Sequence, residues 1–274
     1  MAKTRSQLYV PANNEKMIIN SLKLDEDIII FDLEDAVPDE KKEYAREYIL
    51  NFLIDKKTEK KIAIRINSME TSYFYRDIND IYNSDAKIDY VVVPKAEPGI
   101  GHIYGVLGIP LIPLIETVRG FKHIDNVISE DGVSMISWAA ADFSLSMSGN
   151  INGYATNEYI ATTVAVAARS AGIEPVDKVY FDLENTDGFK DEALKSRNLG
   201  YAGKQVIHPS QITTANEVFS PSREDLEWAE KVINTYNESI KTGKGALRLD
   251  GKLIDSVHIR MARNILEQSK DDTL

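Results

Sequence analysis

Six residues able to take part in acid–base, metal or anion chemistry each stand at or just past the end of a separate apolar run: Asp32, Arg65, Glu116, Asp142, Asp182 and His208. Continuous apolar runs rich in β-branched residues are typical of parallel strands buried on both faces. In barrels of parallel strands, active sites lie where the strands end. The pattern therefore predicts that these six side chains lie together at the C-terminal face of such a barrel.

Glu116 and Asp142 follow the fifth and sixth predicted strands, so their carboxylates can converge on one point. Two carboxylates without His or Cys partners offer hard oxygen ligands, which favour Mg²⁺ or Mn²⁺. An acid near a helix N-terminus is also favourable in itself, so one or both could instead cap the helices that follow. The spacing leaves the metal site and the helix cap open as alternatives.

Arg65 closes an otherwise apolar run, residues 62–64. A guanidinium in that position needs a partner, and its planar fork suits a substrate carboxylate held by two hydrogen bonds. The alternative partner is a structural acid, one of Asp32, Glu34 and Asp35. Asp32 is itself a candidate catalytic residue, or else a residue that orients Arg65 or a metal-bound water.

Lys95 follows the fourth apolar run and is a candidate for substrate binding. A Schiff-base role would require desolvation that lowers its pKa, and because nothing in the sequence indicates this, an ion pair is favoured. His208 could contact a ligand or be structural. The glycine-rich segment 97–108 lacks the spacing of a dinucleotide-binding loop and predicts a short or irregular helix.

Eight strand-like runs alternate with helical patterns, which predicts the α/β class and a (β/α)₈ TIM barrel. The predicted strands are 7–10, 27–31, 61–64, 90–93, 110–115, 133–138, 179–181 and 205–207. The predicted helices are 14–24, 39–54, 73–82, 118–128, 157–171 and 187–199. Residues 1–220 are expected to form the catalytic barrel. Residues 221–274 are expected to form a C-terminal helical extension, with helices at 222–241 and 254–268 around a turn-rich segment, 243–251.

Composition narrows the possible partners. The formal net charge is −11 and the chain has no cysteine, which argues against non-specific nucleic-acid binding, disulfides and Cys-based zinc sites. Residues 1–10 lack the apolar core of a signal peptide, and no run approaches the ~18 apolar residues of a membrane span. A cytoplasmic protein that does not contact membranes is expected.

The order of short motifs along the chain is similar to that of the citrate lyase β-subunit-like family of CoA-thioester lyases. This family belongs to the HpcH/HpaI aldolase superfamily, which includes malyl-CoA and citramalyl-CoA lyases. The resemblance covers essentially the full length. The motifs that carry it are RS-x-LYVPAN at 5–13, FDLEDAV at 31–37, IRIN at 64–67, VPKAE at 93–97, PLIET at 113–117, AAADF at 139–143, GK at 203–204, IHPSQI at 207–212, NEVFSP at 216–221 and DGKLID at 250–255.

The resemblance implies roles for five residues. It implies that Glu116 and Asp142 bind Mg²⁺, and that Arg65 holds the carboxylate of a 2-oxo acid. It also implies that Arg5 lies near the phosphates of CoA. Finally, it implies that Asp255 reaches into a neighbouring subunit's site and acts as an acid/base on the acyl-CoA α-carbon. Without the resemblance, Asp255 is an ordinary helix N-cap candidate.

The expected activity is a Mg²⁺-dependent lyase that cleaves or forms the carbon–carbon bond of a 3-hydroxyacyl-CoA, such as malyl-CoA, citramalyl-CoA or citryl-CoA. The products of cleavage are an acyl-CoA and a 2-oxo acid. Three alternatives stay open: a malyl-CoA thioesterase or malate-synthase-like enzyme, the citryl-thioester lyase subunit of citrate lyase, and a non-catalytic barrel subunit. A homo-oligomer, a trimer or hexamer, is expected from the family.

Overall fold

The computed structural model describes residues 3–55, 58–242 and 247–271. The chain divides into two compact units, Ala2–Ala215 and Asn216–Leu274. Within the described ranges, no helix is long and apolar enough to cross a membrane.

The first unit is built around a closed barrel of eight parallel strands, in the order β1 to β8. The strands are β1 Ser6–Pro11, β2 Ile28–Asp32, β3 Lys61–Arg65, β4 Tyr90–Val93, β5 Leu111–Ile115, β6 Met135–Trp138, β7 Glu174–Asp177 and β8 Gly203–Val206. Each strand pairs with the next, and β1 closes the barrel by pairing with β8. The predicted (β/α)₈ fold is confirmed.

Helices flank and follow the strands. They are α1 Glu15–Ser21, α2 Lys42–Asp55, α3 Ser72–Tyr82, α4 Gly101–Leu107, α5 Val118–Lys122, α6 Ile124–Ile128, α7 Ala140–Ser146, α8 Ile151–Ala155, α9 Glu158–Ser170, α10 Thr186–Asn198 and α11 Ile212–Val218. The predicted helix 118–128 is two helices separated at His123. The glycine-rich segment contains only the seven-residue α4, as expected.

The barrel interior is filled by alternate residues of the strands, since successive side chains of a strand point to opposite faces. Its core includes Ile28 and Ile30 of β2, Ala63 of β3, and Ile112 and Leu114 of β5. The residues two positions further along these strands therefore point inward at the C-terminal end of the barrel. This alternation selects which polar side chains meet there.

The seventh strand was wrongly placed by the sequence pattern. It was predicted at 179–181, but it is Glu174–Asp177, a run with two acids and a proline. Its end carboxylate is buried against a lysine of β8, with Lys204 Nζ 2.6 Å from Asp177 Oδ2. Because this partner lies on the next strand, 27 residues away, the local sequence pattern did not indicate a buried strand.

In the second unit, α12 Arg223–Thr242 and α13 Ser256–Asp271 pack around a small core with a two-stranded hairpin, β9 Leu247–Leu249 and β10 Lys252–Ile254. The buried residues of that core are Ala229, Val232, Ile254, Ile259 and Ala262. Residues 243–246 of the predicted turn-rich segment lie outside the described residues.

Replacing Gly203 by alanine should destabilise the barrel by about 1–3 kcal/mol, the usual cost of overpacking. A Cβ at this start of β8 would overlap the backbone carbonyl of Thr4, which cannot yield as a side chain can. The matched control is Gly105→Ala in α4, where an added Cβ meets nothing within 4 Å. The control should be neutral or slightly stabilising, because alanine favours helix. Urea unfolding followed by circular dichroism compares the two, and a Gly203→Ala protein as stable as the parent would contradict the prediction.

Candidate active site

A buried ion pair between Asp32 and Arg65 lies at the C-terminal ends of β2 and β3. The two residues are register partners. Arg65 Nε donates to Asp32 Oδ1 at 2.7 Å, and Nη2 donates to Asp32 Oδ2 at 2.5 Å. The backbone N–H groups of Glu34 and Ala36 donate to the same carboxylate, at 2.9 and 3.1 Å. Burial alone would raise the pKa of Asp32, but Arg65 and these hydrogen bonds hold it below its usual value.

Four donors therefore engage the Asp32 carboxylate, which stays ionised and has no role left for proton transfer. The prediction that Asp32 is catalytic does not fit this arrangement. Its alternative does, because two parallel hydrogen bonds fix the plane of the Arg65 guanidinium. The contacts of Asp32 are therefore those expected of a residue that orients Arg65.

Arg65 keeps its Nη1 side free of Asp32. That nitrogen is 3.3 Å from Glu34 Oε2 and 3.6 Å from Asp35 Oδ2. The guanidinium carbon lies 4.9 Å from the centre of the Tyr9 ring, a cation–π distance. Arg65 can therefore have both of the partners considered for it. Asp32, a structural acid, binds one edge of the guanidinium, and a ligand carboxylate can bind another edge.

Glu116 directly follows β5 and is almost completely buried. Its Oε1 accepts a hydrogen bond from the Lys95 backbone N–H at 2.7 Å, whereas its Oε2 is buried without a hydrogen-bond partner. Burial, together with the negative charges of Glu34 and Asp142, raises the pKa of Glu116 to about 8. A buried carboxylate oxygen without a donor needs either a proton or a cation.

Lys95 adopts an unusual backbone conformation that lets its N–H group donate a hydrogen bond to Glu116. Its φ of 48° is in the left-handed region that non-glycine residues rarely adopt, and it directs the N–H toward Glu116. Its Nζ is 3.3 Å from Glu34 Oε1. Desolvation lowers the pKa of Lys95, but Glu34 and Glu116 outweigh it and the net pKa is raised. The amine stays protonated, which favours the ion pair over a Schiff base.

Glu34 is a buried acid that sequence reasoning treated only as a possible partner of Arg65. Burial raises its pKa to about 7, and its Oε2 also lacks a hydrogen-bond partner. The available signal was the run of three acids in four residues, 32–35, because so dense a cluster beside an apolar strand implies cationic neighbours.

Asp142 is the third residue of α7 and is half-buried. Glu116 is not the side-chain cap of α5, and Asp142 is not the side-chain cap of α7. No side chain caps α7, and α5 is capped by Thr117, whose Oγ1 accepts from Gly120 N at 2.9 Å. Asp142 nevertheless lies in the first turn of α7, where a negative charge is favourable, so this alternative stays open for Asp142, whereas the capping role beside Glu116 belongs to Thr117.

A cavity of about 300 Å³ brings together four of the predicted residues, Asp32, Arg65, Glu116 and Asp142, whereas Lys95, predicted to bind substrate, is not part of its lining. Its lining includes four acids and one arginine: Asp32, Asp35, Glu116, Asp142 and Arg65. The donor set and the unpartnered Oε2 of Glu116 fit a divalent cation bound by two carboxylates, with water or substrate oxygens completing its shell. Over the described ranges, no group of three or more His, Cys, Asp or Glu side chains is placed to hold a metal ion.

Asp182 and His208 do not line the cavity, so two of the six residues first singled out are not part of this site. Asp182 lies in the exposed segment after β7. His208 caps the short 3₁₀ turn Pro209–Gln211, with its Nδ1 accepting from Ser210 N at 3.2 Å. The structural role of His208 explains its position.

Arg5 lies at the other end of the barrel. It precedes the first residue of β1, and its guanidinium forms two hydrogen bonds with Asp27, which precedes β2. At about 3.3 Å per strand residue, β1 is roughly 16 Å long, and Arg5 lies at the end of β1 opposite the C-terminal face. That Arg5 lies near the phosphates of CoA stays a prediction; in the described structure its guanidinium pairs with Asp27 and joins two strand starts.

Asp255 belongs to the second unit and is exposed. Its Oδ1 accepts hydrogen bonds from the backbone N–H of Val257 at 3.0 Å and of His258 at 3.3 Å, the pattern of an N-cap for α13. His258 Nδ1 lies 2.6 Å from the same oxygen. Hydrogen bonding from His258 lowers the pKa of Asp255.

A family model described as HpcH/HpaI aldolase/citrate lyase matches residues 5–209. A (3S)-malyl-CoA thioesterase of Cereibacter sphaeroides is 30% identical over 272 residues, covering 97% of this chain and 94% of the relative. The mitochondrial citramalyl-CoA lyase of Rattus norvegicus is 31% identical over 288 residues, with 96% and 85% coverage. The CitE protein of Mycobacterium tuberculosis, solved with magnesium, acetoacetate and coenzyme A, superposes with a TM-score of 0.84 at 25% identity and covers 98% of each chain.

The affinity of the protein for Mg²⁺ should rise with pH, by up to about tenfold per pH unit below pH 8, because Glu116 must be ionised to serve as a metal ligand. The pKa of Glu116 is raised from 4.5 to about 8 in the metal-free fold. The contribution of Glu116 to stability is therefore complete at low pH and is lost as the pH rises through about 8. Mg²⁺ should thus stabilise the fold more at pH 8 than at pH 6.

Isothermal titration calorimetry at pH 6, 7 and 8 measures this affinity. Glu116→Gln should remove most of the pH dependence together with most of the binding, whereas Glu34→Gln should keep binding, since only a neighbouring charge is lost. An affinity for Mg²⁺ that is unchanged between pH 6 and 8 would show that Glu116 is not a ligand.

Proposed function

The chain belongs to the HpcH/HpaI aldolase/citrate lyase family, and from this membership and the cavity geometry we propose that it is a Mg²⁺-dependent acyl-CoA lyase. It cleaves or forms the carbon–carbon bond of a 3-hydroxyacyl-CoA such as malyl-CoA, citramalyl-CoA or citryl-CoA, with an acyl-CoA and a 2-oxo acid as the other partners. The observation that carries the proposal is the buried, unpartnered Oε2 of Glu116 in a cavity shared with Asp142 and Arg65.

Glu116 and Asp142 would hold the Mg²⁺, which supplies positive charge that acidifies the substrate hydroxyl and polarises the carbonyl of the 2-oxo acid. Arg65 binds the carboxylate of that acid through the N–H groups that Asp32 does not use. Since Asp32 fixes the guanidinium plane, the carboxylate is oriented before reaction, which reduces the entropy lost on reaching the transition state. Lys95 positions Glu116 through its backbone N–H.

In the direction of condensation, a base removes a proton from the acyl-CoA α-carbon. The resulting carbanion attacks the carbonyl carbon of the 2-oxo acid, a carbon–carbon bond forms, and the carbonyl oxygen takes a proton from water to become the 3-hydroxyl. Cleavage reverses each step and returns a proton to the α-carbon. A positioned base contributes typically ~10²–10⁴-fold to such a reaction.

We assign the α-carbon proton transfer to Asp255 of a neighbouring subunit in a homotrimer or hexamer. Its carboxylate is exposed, unlike the buried carboxylate of Asp32, and its lowered pKa keeps it in the ionised form that a base requires. The likeness to the citramalyl-CoA lyase, which covers 96% of this chain and so extends through the second unit, supports this assignment. Residues 221–274 would then serve as the part of each chain that completes an adjacent active site.

A thioesterase is the second candidate, because a relative at 30% identity is a (3S)-malyl-CoA thioesterase. In that reaction, water attacks the thioester carbonyl and CoA leaves as the free thiol. The two activities differ in their products. Cleavage of malyl-CoA by a lyase releases glyoxylate and leaves the thioester intact, whereas hydrolysis releases malate and free CoA.

Purified protein assayed with malyl-CoA, citramalyl-CoA and citryl-CoA, with Mg²⁺ or with EDTA, should release the 2-oxo acid only with Mg²⁺. Glu116→Gln and Asp142→Asn should each reduce kcat by at least about 100-fold, because each removes a charged metal ligand. The control Asp35→Asn, an exposed acid of the same cavity, should retain most activity. Full turnover in EDTA would reject the metal-dependent mechanism, and release of free CoA without 2-oxo acid would establish the thioesterase.

Mixtures of Arg65→Ala and Asp255→Asn chains should recover activity after subunit exchange, because a mixed interface unites an intact Arg65 site with an intact Asp255. Each variant alone should be nearly inactive. Native mass spectrometry of isotope-labelled chains verifies both oligomeric state and exchange. If chains exchange but the mixture stays inactive, Asp255 does not act in a neighbouring subunit.

A further inference from the structure

Trp138, the last residue of β6, links the two residues assigned to the metal. Its register partner on β5 is Ile115, which Glu116 directly follows. The backbone N–H of Ala139 donates to the carbonyl of Ile115 at 3.2 Å, and α7 begins at the next residue. The position of Trp138 therefore determines where the first turn of α7, which carries Asp142, lies relative to Glu116.

The side chain of Trp138 points away from the barrel interior. Met135 contributes to the interior core, and side chains alternate along a strand, so Trp138 faces the surrounding helices. The residue is almost completely buried. A second cavity of about 300 Å³ nevertheless lies on this side, and its lining includes Trp138, Asp177 and Lys178. Because helices do not fill all of the space there, directional contacts contribute to the orientation of the indole.

Asp177, the last residue of β7, supplies the main directional contact. Its Oδ1 accepts a hydrogen bond from Trp138 Nε1 at 3.0 Å. The Tyr201 hydroxyl also interacts with the indole, and it donates its own hydrogen to the carbonyl of Ala161 at 2.8 Å. Lys178 Nζ lies 5.5 Å from the centre of the indole ring, a cation–π distance. A charged acceptor binds an N–H more strongly than a neutral hydroxyl does, so Asp177 is the stronger anchor.

The other oxygen of Asp177 is held by a buried cluster of charges. Oδ2 accepts from Ser196 Oγ and from Lys204 Nζ, both at 2.6 Å. Glu192 Oε1 lies 2.7 Å from Lys204 Nζ and 2.6 Å from Lys178 Nζ, so two lysines balance two acids. Burial would raise the pKa of Asp177, but Lys204 and Lys178 lower it to about 2. Asp177 is therefore a charged and rigidly held acceptor.

We propose that Asp177 is a positioning residue for the metal ligand Asp142 and acts through its hydrogen bond to Trp138. This inference rests on the proposed function, which assigns Asp142 to the metal. No side chain caps α7, so the anchored indole directly before the helix takes over the task of fixing its first turn. The inference also gives a role to Lys204, part of the GK motif at 203–204, which lies outside the active-site cavity.

Replacing Trp138 by 3-benzothienylalanine tests the hydrogen bond alone, because sulfur takes the place of the N–H in a ring of the same shape. The replacement is made in a Trp228→Phe chain, which removes the other tryptophan and serves as the reference. The affinity for Mg²⁺, measured by calorimetry, should fall about tenfold, a change of about 1.4 kcal/mol. Trp138→Phe should lose at least as much. In an Asp142→Asn chain, the same replacement should cause no further loss, since the two changes act on one ligand.

Ser196→Ala is the matched control, because it removes a donor from the other oxygen of Asp177 and leaves the bond to Trp138 in place. It should lower the unfolding temperature without changing the affinity for Mg²⁺. Thermal unfolding verifies that each variant is folded at the temperature of the titration.

Two results would overturn the positioning role of Asp177. One is an unchanged Mg²⁺ affinity in the benzothienylalanine protein, and the other is an equal loss of affinity in Ser196→Ala. An unchanged affinity in Asp142→Asn would instead reject the metal site of the proposed function.

Discussion

Side chains alternate along the strands of a closed parallel barrel, and the chemistry of this protein depends on that constraint. Asp32, Arg65 and Glu116 each stand two positions beyond an inward-facing core residue, Ile30, Ala63 and Leu114. The same alternation that fills the interior with aliphatic side chains therefore directs these three polar groups toward the cavity at its end. A shift of one residue in any of these strands would turn the reactive group toward the surrounding helices.

The polar groups that meet there neutralise one another only in part. Asp32 and Arg65 form a complete pair, with the carboxylate of Asp32 held by four donors. Glu34 and Glu116 each retain a buried oxygen without a hydrogen bond, and their pKa values are raised to about 7 and about 8. The surplus of negative charge explains why the site suits a divalent cation.

The sequence alone predicted the barrel and most of its strands, because continuous β-branched runs are typical of buried parallel strands. It also predicted the convergence of Glu116, Asp142 and Arg65, because each of them follows such a run. It placed the seventh strand wrongly, since Glu174–Asp177 is stabilised by a charge pair with Lys204 that a local pattern does not contain. The role of Asp255 came from resemblance only. In the described structure its carboxylate has the hydrogen bonds of an ordinary helix cap.

Which charged residues pair with one another was decided only by the tertiary structure. Sequence position indicated that Arg65 needs an anion, but the register of β2 and β3 determines that Asp32 is that anion and leaves another edge of the guanidinium for a ligand. The placement of Arg5 beside Asp27, at the opposite end of the barrel, was likewise decided by strand pairing. The physical reason is that hydrophobic periodicity is local and can be read from one strand, whereas hydrogen bonds, ion pairs and raised pKa values depend on which distant residues the closed sheet brings together.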